Sequence, residues 1–293
     1  MTAPKIGLIG AGSAGTALIL ALHERGYPIV GIASRTLAKA QRCARLVDCE
    51  TFSTDPGAVV PLADALFIAT PDDVIREVCE GIANQGGFRA GQIVAHLSGA
   101  LTSEELEAAR ACGAKGMALH PMQTFADPQQ GAKNMIGASF SLEGDPEAVA
   151  FGREVVEAFS GRVFVIPKER KALYHAALCV ASNYLVTVVD LAARIMERAG
   201  VGKEEALGAM LPLIRGTVNN LERIGLPGAL TGPISRGDAA TIARHLNAME
   251  ELAPEVLDLY RTLGAETVRL AREKGGMDRA EEEAIRGMLK NAK

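Results

Sequence analysis

The sequence predicts a two-part α/β protein: an N-terminal doubly wound sheet over residues 1–167 and an all-helical domain over residues 168–293. Three observations predict it. Short apolar runs alternate with helical stretches through the first half, the pattern of βαβ units and a parallel sheet. A glycine-rich turn follows the first apolar run and opens the first helix. After Pro167 the strand signals stop and helical periodicity takes over. With 48% hydrophobic residues, only 4% aromatics and no Trp, the core has to be built from Ala, Val, Ile and Leu, as suits strands covered on both faces.

In chain order, residues 6–9 read as a buried strand and 14–25 as a helix stopped by Gly26. Strand 29–33, helix 37–46 and a short strand near Thr51 and Phe52 follow. Strand 65–69 leads to helix 73–82. Strands 93–97 and 116–119 flank a helix that opens with Thr102-Ser103-Glu104-Glu105, a capping-box start. Strand 139–142, a helix from Pro146 and strand 163–166 extend the parallel pattern. Helices then read as 169–199, 203–224, 239–249, 254–274 and 279–289. Gly200 and Gly275 stand where C-caps belong, and Asp278 with Glu281 reads as another capping box.

A net charge of −4 argues against a nucleic-acid partner, which calls for a basic face. The N-terminus shows no charged leader, apolar run and cleavage site. No apolar run reads as the ~18–20 residues of a membrane span. The five cysteines are dispersed without a Cys-x-x-Cys pair, which fits reduced thiols in a cytoplasm and no zinc or other metal site.

Gly10-Ala11-Gly12-Ser13-Ala14-Gly15 matches G-x-G-x-x-G between a strand and a helix, the context that gives the pattern its force. The first glycine permits the tight turn, the second lets backbone approach a pyrophosphate, and the third packs helix against strand. The motif predicts a Rossmann dinucleotide site, against the alternative of a glycine-rich turn with no ligand. Helix-start amides favour the phosphate charge. An NAD site carries a carboxylate at the end of the second strand, ~20 residues on. Here that place holds Ser34-Arg35-Thr36. Arg35 suits a 2′-phosphate because its donors form a rigid fork, with Ser34 and Thr36 as further donors. NADP is therefore favoured over NAD. Thr70 and Pro71, at the end of strand 65–69, are expected to line the cofactor, while Asp72 or Asp73 reads as a helix cap.

Three segments carry candidate chemistry. His96-Leu97-Ser98 and His120-Pro121-Met122 end successive strands. Ser98 and His120 are candidates to hold a substrate carbonyl or carboxylate. His96, inside an apolar run, reads as a hydrogen-bonded structural group, and His120 as either structural or functional. The third segment is Lys171-Ala172-Leu173-Tyr174-His175, continuing to Ser182-Asn183-Tyr184. Lys171 and His175 are four apart and share a helix face, with Ser182 on the same face and Asn183 beside it. A polar stripe on an apolar helix needs partners, so it is either a helix–helix network or a proton donor with an oxygen anchor. In the turn Thr231–Asp238, Asp238 reads as an N-cap. Arg236 reads equally as a clamp for a substrate carboxylate, within the chain or across a dimer interface, and as a structural ion pair.

Gly10–Gly15, the segment 65–73 and the long helix after Pro167 resemble the 6-phosphogluconate-dehydrogenase-like superfamily, with its pyrroline-5-carboxylate reductases, ketopantoate reductases and hydroxyisobutyrate dehydrogenases. His120-Pro121-Met122, Tyr174-His175, Ser182-Asn183-Tyr184 and Thr231–Asp238 together resemble a bacterial family that pairs a Rossmann-like domain with a C-terminal domain of unknown function. The superfamily resemblance implies a helical C-terminal domain, frequent dimers and a site in the interdomain cleft. Its hydroxyacid and ketopantoate members use Lys-x-x-x-Asn on the first long helix. Here the residue four after Lys171 is His175. The resulting expectation is a cytoplasmic, homodimeric, NADP-dependent oxidoreductase that reduces a small carboxylate-bearing carbonyl or imine. Lys171 or His175 supplies the proton, Ser98, His120 and Asn183 position the substrate, and Ser182 and Arg236 bind it. The alternative is an NADP-binding redox sensor without turnover.

Overall fold

The computed structural model describes residues 3–290. Two compact units divide after Ser182. The first carries strands β1 (Ile6–Ile9), β2 (Ile29–Ala33), β3 (Phe52–Ser53), β4 (Ala65–Ile68), β5 (Ile93–His96), β6 (Lys115–Pro121), β7 (Ser139–Gly144) and β8 (Arg162–Val165). Its helices are α1 (Ser13–His23), α2 (Leu37–Leu46), α3 (Ile75–Asn84), α4 (Glu107–Ala111), α5 (Pro128–Asn134), α6 (Pro146–Ala158) and α7 (Lys171–Ala181).

The strands form one eight-stranded sheet in the order β3-β2-β1-β4-β5-β6-β7-β8. The chain runs outward from β1 to β3, then returns to the other side of β1 at β4, which sets a topological switch point between β1 and β4. Period-2 alternation feeds two cores. On β4, Ala65 and Phe67 join Leu8, Leu18, Leu22 and Phe140 on one face, while Leu66 and Ile68 join Ile75, Ile82 and Val94 on the other. Each fully buried large side chain of this kind contributes about 1.5–3 kcal/mol.

The expectation of an all-parallel sheet fails at its far edge. β6 and β7 are antiparallel, and β8 is parallel to β7. The cause is the connection. The only helix between β6 and β7 is α5, with seven residues. It rises about 10 Å, against about 23 Å for a seven-residue strand. It packs against α1 and does not carry the chain back to the start of the sheet. Sequence reading missed α5, although Asp127-Pro128 marks its start: Asp127 Oδ1 accepts from Gln130 N at 2.8 Å, with Pro128 in the first turn. The helix expected from Thr102 is shorter than read, a 3-10 turn (Ser103–Leu106) followed by α4.

The second unit is helical: α8 (Asn183–Arg198), α9 (Lys203–Ile224), α10 (Ala239–Leu252), α11 (Leu257–Lys274) and α12 (Arg279–Leu289). Its core gathers Ile242, Leu246, Leu257, Val268 and Ile285. The expected caps form: Asp238 accepts from Thr241 N at 3.0 Å, and Asp278 with Glu281 makes a full capping box.

The single helix read over 169–199 is broken. Ser182, with φ −117° and ψ −68°, separates α7 from α8. The contact boundary therefore falls after Ser182, later than the sequence boundary at 167, because α7 anchors Lys171 in the first unit. By length and composition the stretch Lys168–Arg198 is apolar enough to cross a membrane, which corrects the reading that no such run exists. Its two helices hold 11 and 16 residues, each short of the ~20 a span needs. Much of its apolar surface is exposed, as at Leu173, Val180 and Val186.

Candidate active site

The three motif glycines of the first unit divide by space. Gly10 ends β1 with φ 103°, and an added Cβ would lie 2.6 Å from the Ala69 carbonyl oxygen. At Gly15 an added Cβ would strike the Gly10 carbonyl oxygen and approach Ala69 Cβ to 2.8 Å. Both hold the β1–α1 turn against the end of β4. Gly12 differs: nothing lies within 4 Å of an added Cβ, and no side chain caps the helix it begins. The first N–H groups of α1, which have no partner within the helix, are left open to a ligand.

That open backbone borders a cavity of about 550 Å³ at the carboxyl ends of β1, β2 and β4. Gly10, Ala11, Gly12, Ser34, Arg35, Thr70 and Pro71 line it. Sequence reading missed Lys39, one turn along α2, and the acidic Asp73 and Glu77 on the opposite side. Ser13, Ala14 and Gly15 lie in the first turn of α1, and Thr36 is the N-cap residue of α2; none of the four lines the cavity. Arg35 and Lys39 have no ion-pair partner among the described residues. The Thr70 hydroxyl is buried with no hydrogen-bond partner among the described residues. Two free cations, uncapped helix amides and an unsatisfied hydroxyl suit a ligand that is anionic at one end and polar at the other.

A second group of polar side chains sits on the loop after β5, at the end of β6 and on α7. His120 Nδ1 is 3.0 Å from the Tyr174 hydroxyl, and the His120 ring stands edge-on to both Tyr174 and His175, with centroids 5.8 Å away in each case. Gly99 makes this approach possible: an added Cβ would come within 2.6 Å of His175 Cδ2 and 2.8 Å of His120 Nε2. Burial, then the neighbouring His175 and Lys171, depresses the His120 pKa to about 4, so the ring is neutral at physiological pH. His175 Nδ1 lies 3.9 Å from Cys179 Sγ.

Lys171 is 1% exposed. Its Nζ reaches the Ser98 carbonyl oxygen at 3.5 Å and has no carboxylate in salt-bridge range among the described residues. Desolvation lowers its pKa to about 8 against the pull of Glu143 and Asp72. A buried ammonium with one long hydrogen bond is short of partners.

His96 behaves as the structural group expected. It is fully buried, with Nε2 on the Thr102 carbonyl at 2.9 Å and Nδ1 accepting from Ser98 N at 3.2 Å. Burial holds its pKa near 4. Ser98 departs from expectation. Its hydroxyl donates to Asp72 Oδ2 at 2.7 Å and accepts from Ala100 N and Leu101 N at 3.2 and 3.0 Å. One donor and two acceptor sites are thereby used, and none remains for a substrate. Asp72, read as a cap, makes no cap bond and ties the β4 loop to the β5 loop instead. Ser182 is the C-cap residue of α7, Asn183 opens the second unit and Arg236 is exposed there. The stripe read on one helix is thus divided between units.

Residues 2–121 match a model for a Rossmann-like domain, and residues 138–267 match a domain of unknown function, DUF2520. The expected pairing of these two domains is borne out. No curated protein matches the chain. Among solved structures, BF3122 of Bacteroides fragilis, described as a candidate NADP oxidoreductase, is 27% identical over 92% of this chain and 99% of that one, with a TM-score of 0.74. TM1727 of Thermotoga maritima is 25% identical over 92% and 97% of the chains, with a TM-score of 0.68. A 1-pyrroline-5-carboxylate reductase of Streptococcus pyogenes shares the fold over 99% of both chains at 17% identity and a TM-score of 0.61.

Proposed function

We propose that this chain, which joins a Rossmann-like domain to a DUF2520 domain, is an NADP-dependent oxidoreductase that reduces a small carboxylate-bearing carbonyl or imine compound. The observation that carries the reading is a buried Lys171 without a carboxylate partner among the described residues, held at the Ser98 carbonyl in the same unit as the glycine-lined cavity. The description of the Bacteroides protein as a candidate NADP oxidoreductase supports it, as does the fold shared with an enzyme named for a cyclic imine acid.

The cavity lining supports such a cofactor at both ends. Helix amides beside Gly12 would receive the pyrophosphate, Arg35 and Lys39 the 2′-phosphate, and Thr70 the polar end. When bound, NADPH supplies a hydride to an electrophilic carbon. The chain's own residues then answer the charge left on oxygen or nitrogen. Lys171, an acid with pKa about 8, stabilises that charge and supplies the proton, since an ideal catalytic pKa lies near the working pH. His120 donates a hydrogen bond to the same atom, and His175 is the second candidate proton source. Arg236, exposed and without an ion pair among the described residues, is assigned to the substrate carboxylate, with Ser182 and Asn183 as further contacts.

The exposed Leu173, Val186 and Leu213, at 74%, 70% and 71%, support burial against a second copy, because large apolar patches mark interaction surfaces. The unpaired thiols support a reducing, cytoplasmic setting. The test is titration with NADPH and NADH, then oxidation of NADPH with a panel of small keto acids and cyclic imines. NADPH binding that weakens in Arg35→Ala, with turnover lost in Lys171→Met, supports the proposal. Tight binding without turnover points to a redox sensor, and no nucleotide binding overturns both.

A further inference from the structure

The Tyr174 phenol sits between two groups. On one side is His120 Nδ1 at 3.0 Å. On the other is Ser141 on β7, 1% exposed, whose hydroxyl meets no hydrogen-bond partner among the described residues unless it turns to the Tyr174 oxygen beside it. Burial raises the Tyr174 pKa, so the group is a phenol with one proton to give.

Two proton arrangements are open to this row. In one, His120 Nδ1–H donates to Tyr174, which donates to Ser141. The serine proton then has no acceptor in a buried site, which is unfavourable. In the other, Ser141 donates to Tyr174 and Tyr174 donates to Nδ1. Every proton in the row is then placed, and the better acceptor, the imidazole nitrogen, receives the phenol's hydrogen bond. We infer that Tyr174 is a positioning residue: backed by Ser141, it fixes His120 in the Nε2–H tautomer, with that N–H on the Gly99 side of the ring.

The inference deepens the proposed function and rests on it for its use. A neutral ring with Nε2–H exposed is a hydrogen-bond donor to a substrate oxygen or nitrogen, and the other tautomer would present a lone pair there. Nε2 has no hydrogen-bond partner among the described residues, and its nearest crowding is Gly99, where an added Cβ would lie 2.8 Å away. The charged and titratable groups facing His120 are His175, Lys171 and Tyr174 on α7 and His96 on β5. Lys171 and His175 disfavour the imidazolium, which keeps the ring in the form where the tautomer matters.

The test is nitrogen NMR of the five histidines in the full-length protein labelled at the imidazole nitrogens, without nucleotide. His120→Gln assigns the His120 pair, and the pair from buried His96 reports an intact fold. The expected wild-type spectrum has Nε2 in the protonated range and Nδ1 in the unprotonated range from pH 6 to pH 8 (roughly the interval in which an ordinary histidine titrates). Tyr174→Phe is expected to mix the two tautomers. If that variant loses the His96 pair, Ser141→Ala provides the same readout and is expected to let the Nδ1–H form appear. A wild-type ring protonated on Nδ1, or a tautomer unmoved in a folded variant, overturns the inference. Because no NADPH or substrate is present, the tautomer result stands apart from any failure of the oxidoreductase reading.

Discussion

The two loop glycines with opposite surroundings should fail in opposite ways. Gly12→Ala adds a methyl where nothing lies within 4 Å, at φ −81°, a conformation alanine adopts freely. Its stability cost is that of a poorer N-cap, within about 1 kcal/mol. Gly15→Ala pushes a methyl into the Gly10 carbonyl oxygen and to within 2.8 Å of Ala69 Cβ and 3.2 Å of Leu8 Cδ1. One neighbour is backbone and another belongs to a core cluster, so little can yield, and overpacking of this kind costs about 1–3 kcal/mol. At roughly 2–4 °C per kcal/mol for a unit of this size, the melting midpoint of Gly15→Ala should fall by about 2–12 °C. Gly12→Ala should stay within about 3 °C of wild type. Its methyl instead occupies the approach to the helix amides, so NADPH affinity should fall at least tenfold, about 1.4 kcal/mol. Differential scanning fluorimetry with and without NADPH measures both quantities. Equal destabilisation by the two variants, or wild-type NADPH affinity in Gly12→Ala, refutes the assignment of Gly12 to ligand approach.

Arg35→Ala should weaken NADPH about 10–100-fold, the loss of one charged hydrogen-bonding partner at 1.5–3 kcal/mol, and leave NADH nearly unchanged; parallel titrations decide it, and equal losses for both nucleotides argue against a 2′-phosphate contact. For Lys171 the native pKa is lowered from 10.5 to about 8, so between those values the unfolded chain binds the proton and the folded one does not. Stability should therefore rise with pH across that window, by up to about 3 kcal/mol, with the full penalty present below pH 8; urea unfolding of wild type against Lys171→Met at pH 7 and pH 10 checks the difference in slope. Gly99→Ala, whose methyl would stand 2.6 Å from His175 Cδ2, should displace both imidazoles at a stability cost of about 1–3 kcal/mol and abolish turnover while NADPH affinity stays within about twofold, since the site of strain is outside the cavity; equilibrium titration and a single-turnover assay separate the two.

What could be read beforehand was local. The glycine turn is legible because its three requirements, a turn, an open face and a close contact, fall within residues 10–15 and are met by one residue type. The capping of α10 and α12 is legible for the same reason. Strand direction is not written in an apolar run: β7 reads like any buried strand, and only the shortness of α5 reverses it. The break at Ser182 carries no Gly or Pro, so nothing in the neighbouring residues announces it. Partners distant in sequence were also hidden. His120 and Tyr174 are 54 residues apart, and the Asp72–Ser98 bond spans 26. Ser98 was visible as a polar residue at a strand end, but that its hydroxyl is saturated depends on Asp72, whose position suggested a helix cap. Tyr174 and Gly99 were passed over because one looks like a helix aromatic and the other like a loop glycine, until packing sets both against His120.

The Asp72–Ser98 bond also ties the loop that lines the cavity to the polar cluster. Pro71 and Asp73 line the cavity, and Asp72 between them holds the Ser98 hydroxyl at 2.7 Å. That bond, with the two loop amides on the same hydroxyl, fixes the Ser98 backbone, and it is the Ser98 carbonyl that Lys171 Nζ approaches at 3.5 Å. The β4 loop that lines the cavity therefore also sets where the acceptor for the buried ammonium stands. Asp72 raises the affinity of Lys171 for its proton from nearby without forming an ion pair. A direct carboxylate–ammonium contact would stabilise the ammonium more and make it a poorer acid. Burial, only partly opposed by Glu143 and then Asp72, leaves the amine with a pKa of about 8, close enough to neutrality for the proton to be transferable. The serine that sequence reading assigned to the substrate thus serves as the spacer between an acidic residue on the cofactor loop and the acid proposed to complete the reduction.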